Sequence, residues 1–434
     1  NGGVYPRGNT RQFTGEYMNN FALEKKDEHK AVLISVDTGE FDAELSIAEL
    51  MELAETAGVK TEFYVIQKRP TYDSATCIGA GRLKDVAEQA EISGVDLAIF
   101  DCELTANQTK NIENILDMQV IDRTTLILDI FAQRAMTKEG CIQVELAQNK
   151  YRLAHLAGRG IELSRLGGGI GTRGPGESKL ETDRRHIRKR IEMLENQLKK
   201  LEKRRKLHRE RRRKDNILTG AIVGYTNVGK STLLNALTDA GVLAENKLFA
   251  TLDITSRMLK LPDGRSIMLV DTVGLIRRLP HQLVEAFKST LEEAASADII
   301  INIVDISAED GLEQAEVTDS LLNELGCEGI PKITVYNKSD AVKDLEYIPL
   351  DDKSVLISAK NKTGFDGLLD CISRNLPETA VRGKFLIPYD KTSLICSVRT
   401  EGKVFAEEYT ENGTLIEALV DRKLLHLVKE FEVS

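Results

Sequence analysis

The stretch GYTNVGKS, Gly224 to Ser231, constrains this chain more than any other eight residues. It follows the strand-like run AIV and opens the helical run TLLNALTDA. A glycine-rich turn between a strand and a helix lets backbone N–H groups converge on a phosphate. In such a cradle Lys230 reaches the outer phosphate oxygens and the Ser231 hydroxyl ligates Mg2+. The alternative is a plain glycine turn opening a helix. Residue frequencies allow a chance match in ~1 to 2 per cent of chains this long, before context is counted. The phosphate reading therefore wins, and with it an α/β fold whose parallel sheet alternates with helices.

Three further stretches stand at the ends of strand-like runs downstream. DTVG, comprising Asp271, Thr272, Val273 and Gly274, closes RSIMLV. An aspartate there holds the Mg2+ shell through water while the Gly274 N–H reads a γ-phosphate. NKSD, Asn337 and Lys338 to Asp340, closes KITVY. Its carboxylate can accept hydrogen bonds from the N1–H and N2–H2 edge of guanine, which adenine lacks, and the wrong base would leave that carboxylate unsatisfied. SAK, which is Ser358, Ala359 and Lys360, follows SVLI and offers a backbone N–H to guanine O6. The order phosphate, γ-phosphate sensor, base, base resembles that of a translation-factor-type P-loop GTPase with a Ras-like doubly wound sheet. The resemblance assigns the nucleotide to Gly224, Tyr225, Thr226, Asn227, Val228, Gly229, Lys230, Ser231 and Thr232, together with the three motifs above. It also adds a mobile first switch, matched by FATLD, comprising Phe249, Ala250, Thr251, Leu252 and Asp253, with Thr251 as the Mg2+ ligand. Lys230, Ser231, Thr251 and Gly274 are then the catalytic set.

Two residues depart from the Ras-like pattern. Leu275 stands where such GTPases carry a water-orienting glutamine, so intrinsic hydrolysis is expected to be slow. Asn227 resembles the asparagine of cation-activated GTPases that helps to seat K+, which implies potassium stimulation.

At 434 residues the chain calls for several domains. From Lys30 to Arg134 short β-branched runs alternate with helical ones, which predicts an N-terminal α/β domain over 29–136. Within it GAGR, Gly79 to Arg82, reads either as a weak phosphate-binding turn or as an ordinary strand-to-helix turn. A helical hairpin is expected over 137–214, with a glycine-rich loop at 158–178, and a GTPase domain over 217–377. A small α+β domain follows over 383–434, with a hairpin turning at Asn412-Gly413. Residues 1–28 read as disordered.

The net charge of −9 conceals an asymmetry. Between Lys179 and Lys214 there are seventeen Lys and Arg against six Asp and Glu. Leu180, Ile187, Ile191, Leu194, Leu198 and Leu201 recur at three- and four-residue steps, which predicts one apolar stripe with arginines on the remaining faces. A merely solvated helix would balance its charges, so the excess favours a phosphate-rich partner. Six scattered cysteines without metal-ligand spacing fit a reducing cytosol. No apolar run reaches membrane length and the polar N-terminus lacks a signal-peptide core, so neither membrane insertion nor export is expected.

The stretch RLGGGIGTRGPGESKLETDRR, placed between an α/β domain and a GTPase domain and leading into the basic helix, resembles the HflX family of GTPases over nearly the whole chain. The resemblance implies a cytoplasmic protein, monomeric off the ribosome, that cycles between GTP and GDP. Its partner would be the large ribosomal subunit, and its role the splitting or rescue of idle or stalled ribosomes under stress. Some members protect ribosomes from antibiotics, and adenine-nucleotide binding by the N-terminal domain is reported in the family. The hairpin would point its glycine loop at the peptidyl-transferase region, with Arg159, Arg165, Gly168, Gly169, Arg173, Arg184, Arg185, Arg188 and Arg190 against rRNA. The alternatives are a GTPase that assists RNA or tRNA modification or ribosome assembly, and a nucleotide-gated binding module with negligible turnover.

Overall fold

The structure, a computed structural model, describes residues 29–166, 175–214, 217–238, 248–249, 255–278, 293–342, 348, 350–377 and 380–433. Side chains are not described at 157–166, 175–180, 208, 213–214, 380, 401 and 421–423. The segment 1–28, expected to be disordered, lies outside the described residues. The chain divides into two compact units, Asn1–Asn196 and Gln197–Ser434.

The first unit is built on a four-stranded, wholly parallel sheet of β1 (His29–Asp37), β2 (Val59–Lys68), β3 (Leu97–Phe100) and β4 (Gln119–Asp122), in the order β2-β1-β3-β4. Helices α1 (Ala43–Thr56), α2 (Ala80–Ser93), α3 (Ala106–Leu116) and α4 (Arg123–Arg134) connect and follow the strands. Buried on both faces, β1 and β3 are nearly continuous apolar runs rather than alternating ones. Local chemistry sets the helix starts. The Asp42 carboxylate accepts from Glu44 N and Leu45 N, and Thr105 with Gln108 forms a reciprocal capping box. Val32, Ile34, Val86, Phe100 and Ile112 meet in one core, and truncating Phe100 there would cost about 3–5 kcal/mol.

Two long helices follow, α5 (Lys138–Leu166) and α6 (Pro175–Lys214). The first runs through Gly158 and Gly160 to Leu166, since each glycine costs only about 1 kcal/mol in a helix. Only 167–174 separate the two helices, against the loop expected at 158–178. Tyr151 donates its hydroxyl proton to Asp122, and His155 Nε2 lies 2.7 Å from Leu104 O, which seats α5 on the sheet domain. Within the unit, Arg190–Glu145 at 2.5 Å and Lys150–Glu195 at 3.3 Å join the two helices. Along α6, Leu194 is buried and Ile187, Ile191, Leu198 and Leu201 are half-buried, which is the expected stripe.

In the second unit a six-stranded sheet runs β10-β9-β8-β5-β7-β6. Its strands are β5 (Leu218–Gly224), β6 (Thr255–Lys260), β7 (Ser266–Asp271), β8 (Ile299–Asp305), β9 (Lys332–Asn337) and β10 (Ser354–Leu356). All pairs are parallel except β6 with β7. Helices α7 (Lys230–Thr238), α8 (Gly311–Glu324) and α9 (Phe365–Asn375) complete the doubly wound pattern. The strand order reverses direction at β5, the topological switch point where such sheets bind ligands.

A βαββαβ module ends the chain: β11 (Ala380–Ile387), α10 (Thr392–Glu401), β12 (Lys403–Thr410), β13 (Gly413–Asp421), α11 (Arg422–Val428) and β14 (Glu432–Val433). Its antiparallel sheet, β12-β13-β11-β14, buries Phe385, Ile387, Ile416 and Val420 with Val398 and Val428. Thr410 pairs with Gly413, so the hairpin turns on Glu411-Asn412, one residue earlier than the Asn-Gly pattern suggests. The final helix stops at Val428, and Glu432 and Val433 beyond it pair with Phe385 and Lys384.

Candidate nucleotide-binding site

Three strand ends converge on the turn between β5 and α7. At Gly229 the backbone has φ +97°, and a methyl group there would meet Asn337 Nδ2 at 2.4 Å, so only glycine fits this approach. Asn337 uses both ends of its amide. Nδ2 donates to Val228 O at 2.8 Å, and Oδ1 accepts from Ala359 N at 2.9 Å. One buried side chain thus ties GYTNVGKS, NKSD and SAK together, a positioning role that motif reading does not reveal.

The fourth motif closes the other flank. Leu275 N donates to Gly224 O at 3.2 Å and Thr226 N donates to Leu275 O at 2.8 Å, pairing the residues after β7 with the phosphate turn. Arg277 N donates to the Tyr225 hydroxyl at 2.7 Å. Gly274 is pressed so close that a methyl would meet Thr226 Cγ2 at 2.7 Å and Lys230 Nζ at 3.1 Å. Leu275 is 3 % exposed and contributes to the site through its backbone. Thr272 Oγ1 donates to Ile222 O at 2.8 Å, and Val273 is buried beside it in sequence.

Lys230 is buried, its ammonium donating to Tyr225 O at 2.6 Å and Gly224 O at 3.1 Å. Burial pulls its pKa down to about 8, against the opposing pull of the Asp271 charge. Ser231 Oγ donates to Asp271 Oδ2 at 2.7 Å, so the hydroxyl expected to ligate Mg2+ touches the carboxylate expected to hold its water shell. The Thr226 hydroxyl is buried with no hydrogen-bond partner among the described residues. A positive-φ turn, a buried lysine, an unsatisfied hydroxyl and a hydroxyl–carboxylate pair fit a nucleoside phosphate with its hard divalent cation.

At the base end, Ser358 Oγ donates to Asp340 Oδ1 at 2.5 Å, and Asn361 N donates to Ser358 Oγ at 3.1 Å. The Ser358 hydrogen bond, aided by the nearby Lys360 and Lys338 charges, holds the Asp340 carboxyl below its ordinary range. Lys338, at φ +64°, pairs with Asp305 at 2.5 Å. Asn227 sits at φ +62° in the turn, Thr232 is half-buried and Phe249 is buried. Ala250, Thr251, Leu252 and Asp253 lie outside the described residues.

Of the residues expected against rRNA, Arg185, Arg188 and Arg190 are exposed on α6, and Arg184 is half-buried. Arg159 and Arg165 belong to α5 but their side chains are not described; Gly168, Gly169 and Arg173 lie outside the described residues. Farther along the same basic helix, Arg209 Nε donates to Glu293 Oε1 at 3.0 Å and Arg209 Nη1 to Ser296 Oγ at 3.0 Å. Arg212 Nη2 donates to Glu293 Oε2 at 3.4 Å. Two of the positive charges counted in the sequence are therefore committed to a carboxylate that is 9 % exposed, not to a distant partner.

Comparison with known proteins gives three consecutive family matches: GTP-binding GTPase N-terminal at residues 44–132, GTP-binding GTPase Middle Region at 134–212, and 50S ribosome-binding GTPase at 219–338. The GTPase HflX of Caldanaerobacter subterraneus subsp. tengcongensis is 48% identical over 98% of this chain and 98% of its own. That of Escherichia coli is 39% identical over 83% of this chain and 85% of its own. Among solved structures, a GTP-binding protein of Sulfolobus solfataricus in complex with GDP is 26% identical, covering 80% of this chain and 98% of its own at a TM-score of 0.43.

Proposed function

The chain belongs to the GTPase HflX family and hydrolyses GTP to GDP and phosphate, and from that premise we propose that it binds the large ribosomal subunit and splits or rescues idle or stalled ribosomes under stress. The observation that carries this reading is the presence, in one chain, of a four-motif nucleotide site and a 40-residue helix whose apolar stripe is buried or half-buried while Arg185 and Arg188 are exposed. Exposed arginines on a rigid helix suit the phosphates of a folded RNA. The cytoplasm, where ribosomes work, is the corresponding location. Among the described residues no helix is long and apolar enough to cross a membrane.

In this reading the buried Lys230 ammonium leaves the loop carbonyls for the β- and γ-phosphate oxygens, while the turn's N–H groups hold the β-phosphate. Asp340, kept ionised by Ser358, accepts from the guanine edge, and Asn337 fixes the distance between the phosphate and base ends of the site. Mg2+, held by Ser231 Oγ, Asp271 through water and Thr251, would neutralise charge on the phosphate oxygens. Asn227 is the candidate K+ contact, and equal turnover in potassium and sodium buffers would count against it. Leu275 is bound into the phosphate turn and has no group to orient water, so hydrolysis is slow until the ribosome completes the site.

Pelleting with purified 50S subunits tests the RNA-binding face. Replacing both Arg185 and Arg188 with Gln should weaken binding and lower the slope of log affinity against log salt by roughly 1.5, as two phosphate contacts are lost. An unchanged affinity and slope would remove α6 from the interface.

A further inference from the structure

We propose that Cys77 and Cys102 form a redox-active dithiol that closes to a disulfide under peroxide and locks the loop before α2 onto the end of β3. The two sulfurs lie 3.2 Å apart in the first unit, though 25 residues separate them in sequence. Both are free thiols; Cys77 is 1 % exposed, while Cys102 is half-buried.

Each thiol is held in place by its own scaffold, so their contact is built rather than incidental. Cys77 lies at φ +66°, an unfavourable region for a residue with a side chain, in a tight loop where Asp73 N donates to Cys77 O at 2.8 Å and Cys77 N to Asp73 O at 3.0 Å. From α3, Gln108 Nε2 donates to Asp73 O at 2.9 Å and Asn111 Nδ2 to Ala75 O at 3.0 Å. On the other side, Cys102 follows Asp101, whose carboxylate is fixed by Ser35, Ser46 and Arg123. Two residues on, Leu104 N donates to Asp122, and Leu104 O meets His155 of α5. The dithiol therefore joins the loop before α2 to the segment on which the hairpin helix is seated.

The chemistry balances with one peroxide. The Cys102 thiol and hydrogen peroxide give Cys102 sulfenic acid and water. The Cys77 sulfur then attacks the Cys102 sulfur, forming the S–S bond and releasing a second water. The hydrogen bond that the Cys102 S–H makes to Cys77, together with burial, raises the Cys102 thiol above its ordinary pKa, which keeps thiolate scarce and the reaction slow. The device thus responds to sustained oxidation. The competing account is a pair of reduced thiols that pack as small apolar groups.

The full chain is treated with hydrogen peroxide, denatured, alkylated with N-ethylmaleimide and digested. We expect four alkylated cysteines rather than six, a peptide pair joined through Cys77 and Cys102 and two hydrogens lighter than the reduced pair, and recovery of all six thiols with dithiothreitol. Amide exchange over 73–78 should slow in the oxidised form, because the closed loop opens less often. In Cys77→Ser the same treatment should leave a Cys102 sulfenic acid that dimedone captures. Six alkylated cysteines after peroxide, or a disulfide that pairs either residue elsewhere, would overturn the proposal; unchanged exchange over 73–78 would overturn the lock.

Discussion

Lys230 shows what a single residue contributes. Its ammonium, buried against Gly224 O and Tyr225 O, titrates near 8 in the nucleotide-free protein, below the ordinary 10.5. Phosphate oxygens favour the charged form, so binding must raise that pKa and draw in a proton wherever the free lysine is partly neutral. At pH 8 about half of Lys230 is neutral, and calorimetry in buffers of different ionisation heat should register uptake of about half a proton per GDP. Affinity should then fall as pH rises above 8, and the uptake should vanish near pH 6. No uptake at pH 8 would contradict the buried-lysine geometry. The placement of Lys230, Ser231, Asp340 and Gly274 is legible in the sequence because each stands just beyond a strand end. The bridging role of Asn337 is not, since its partners Val228 and Ala359 are remote in sequence and meet only through the strand order.

Among the elements, α6 is the one whose sequence pattern is partly met in the structure and partly overstates the free charge. Its apolar stripe is readable from spacing, and the structure covers Leu194 as that spacing requires. Its charge excess points to an RNA-facing surface along the whole helix, yet Arg209 and Arg212 grip Glu293, more than eighty residues downstream. No local pattern announces a pair at that separation. Removing the charge with Glu293→Gln should cost about 1–3 kcal/mol, because a largely buried carboxylate shared by two guanidiniums loses its charge-assisted bonds. Urea unfolding reads this as a lower midpoint, while GDP affinity should stay within about twofold, since Glu293 is not part of the nucleotide site. An unchanged midpoint would show that the clamp contributes nothing. The hairpin turn at Glu411-Asn412 teaches the same lesson on a smaller scale: the Asn-Gly signal locates the hairpin, but strand register decides which residues turn.

At the scale of the whole molecule, alternating strand and helix runs are enough to foresee one parallel and one largely parallel sheet, because each run must bury its own apolar face. What the sequence does not supply is how a nucleotide site and a basic helix would work together. In the proposed function that coupling would fall to the ribosome, which would supply what Leu275 lacks. The most direct test is GTP turnover with and without purified 50S and 70S particles, run beside sucrose-gradient sedimentation of the 70S sample. Turnover should rise ~10-fold or more with ribosomal particles present, and 70S particles should convert to free subunits in the presence of GTP. Unstimulated turnover, or stimulation that leaves the 70S peak intact, would contradict a ribosome-completed, ribosome-splitting GTPase.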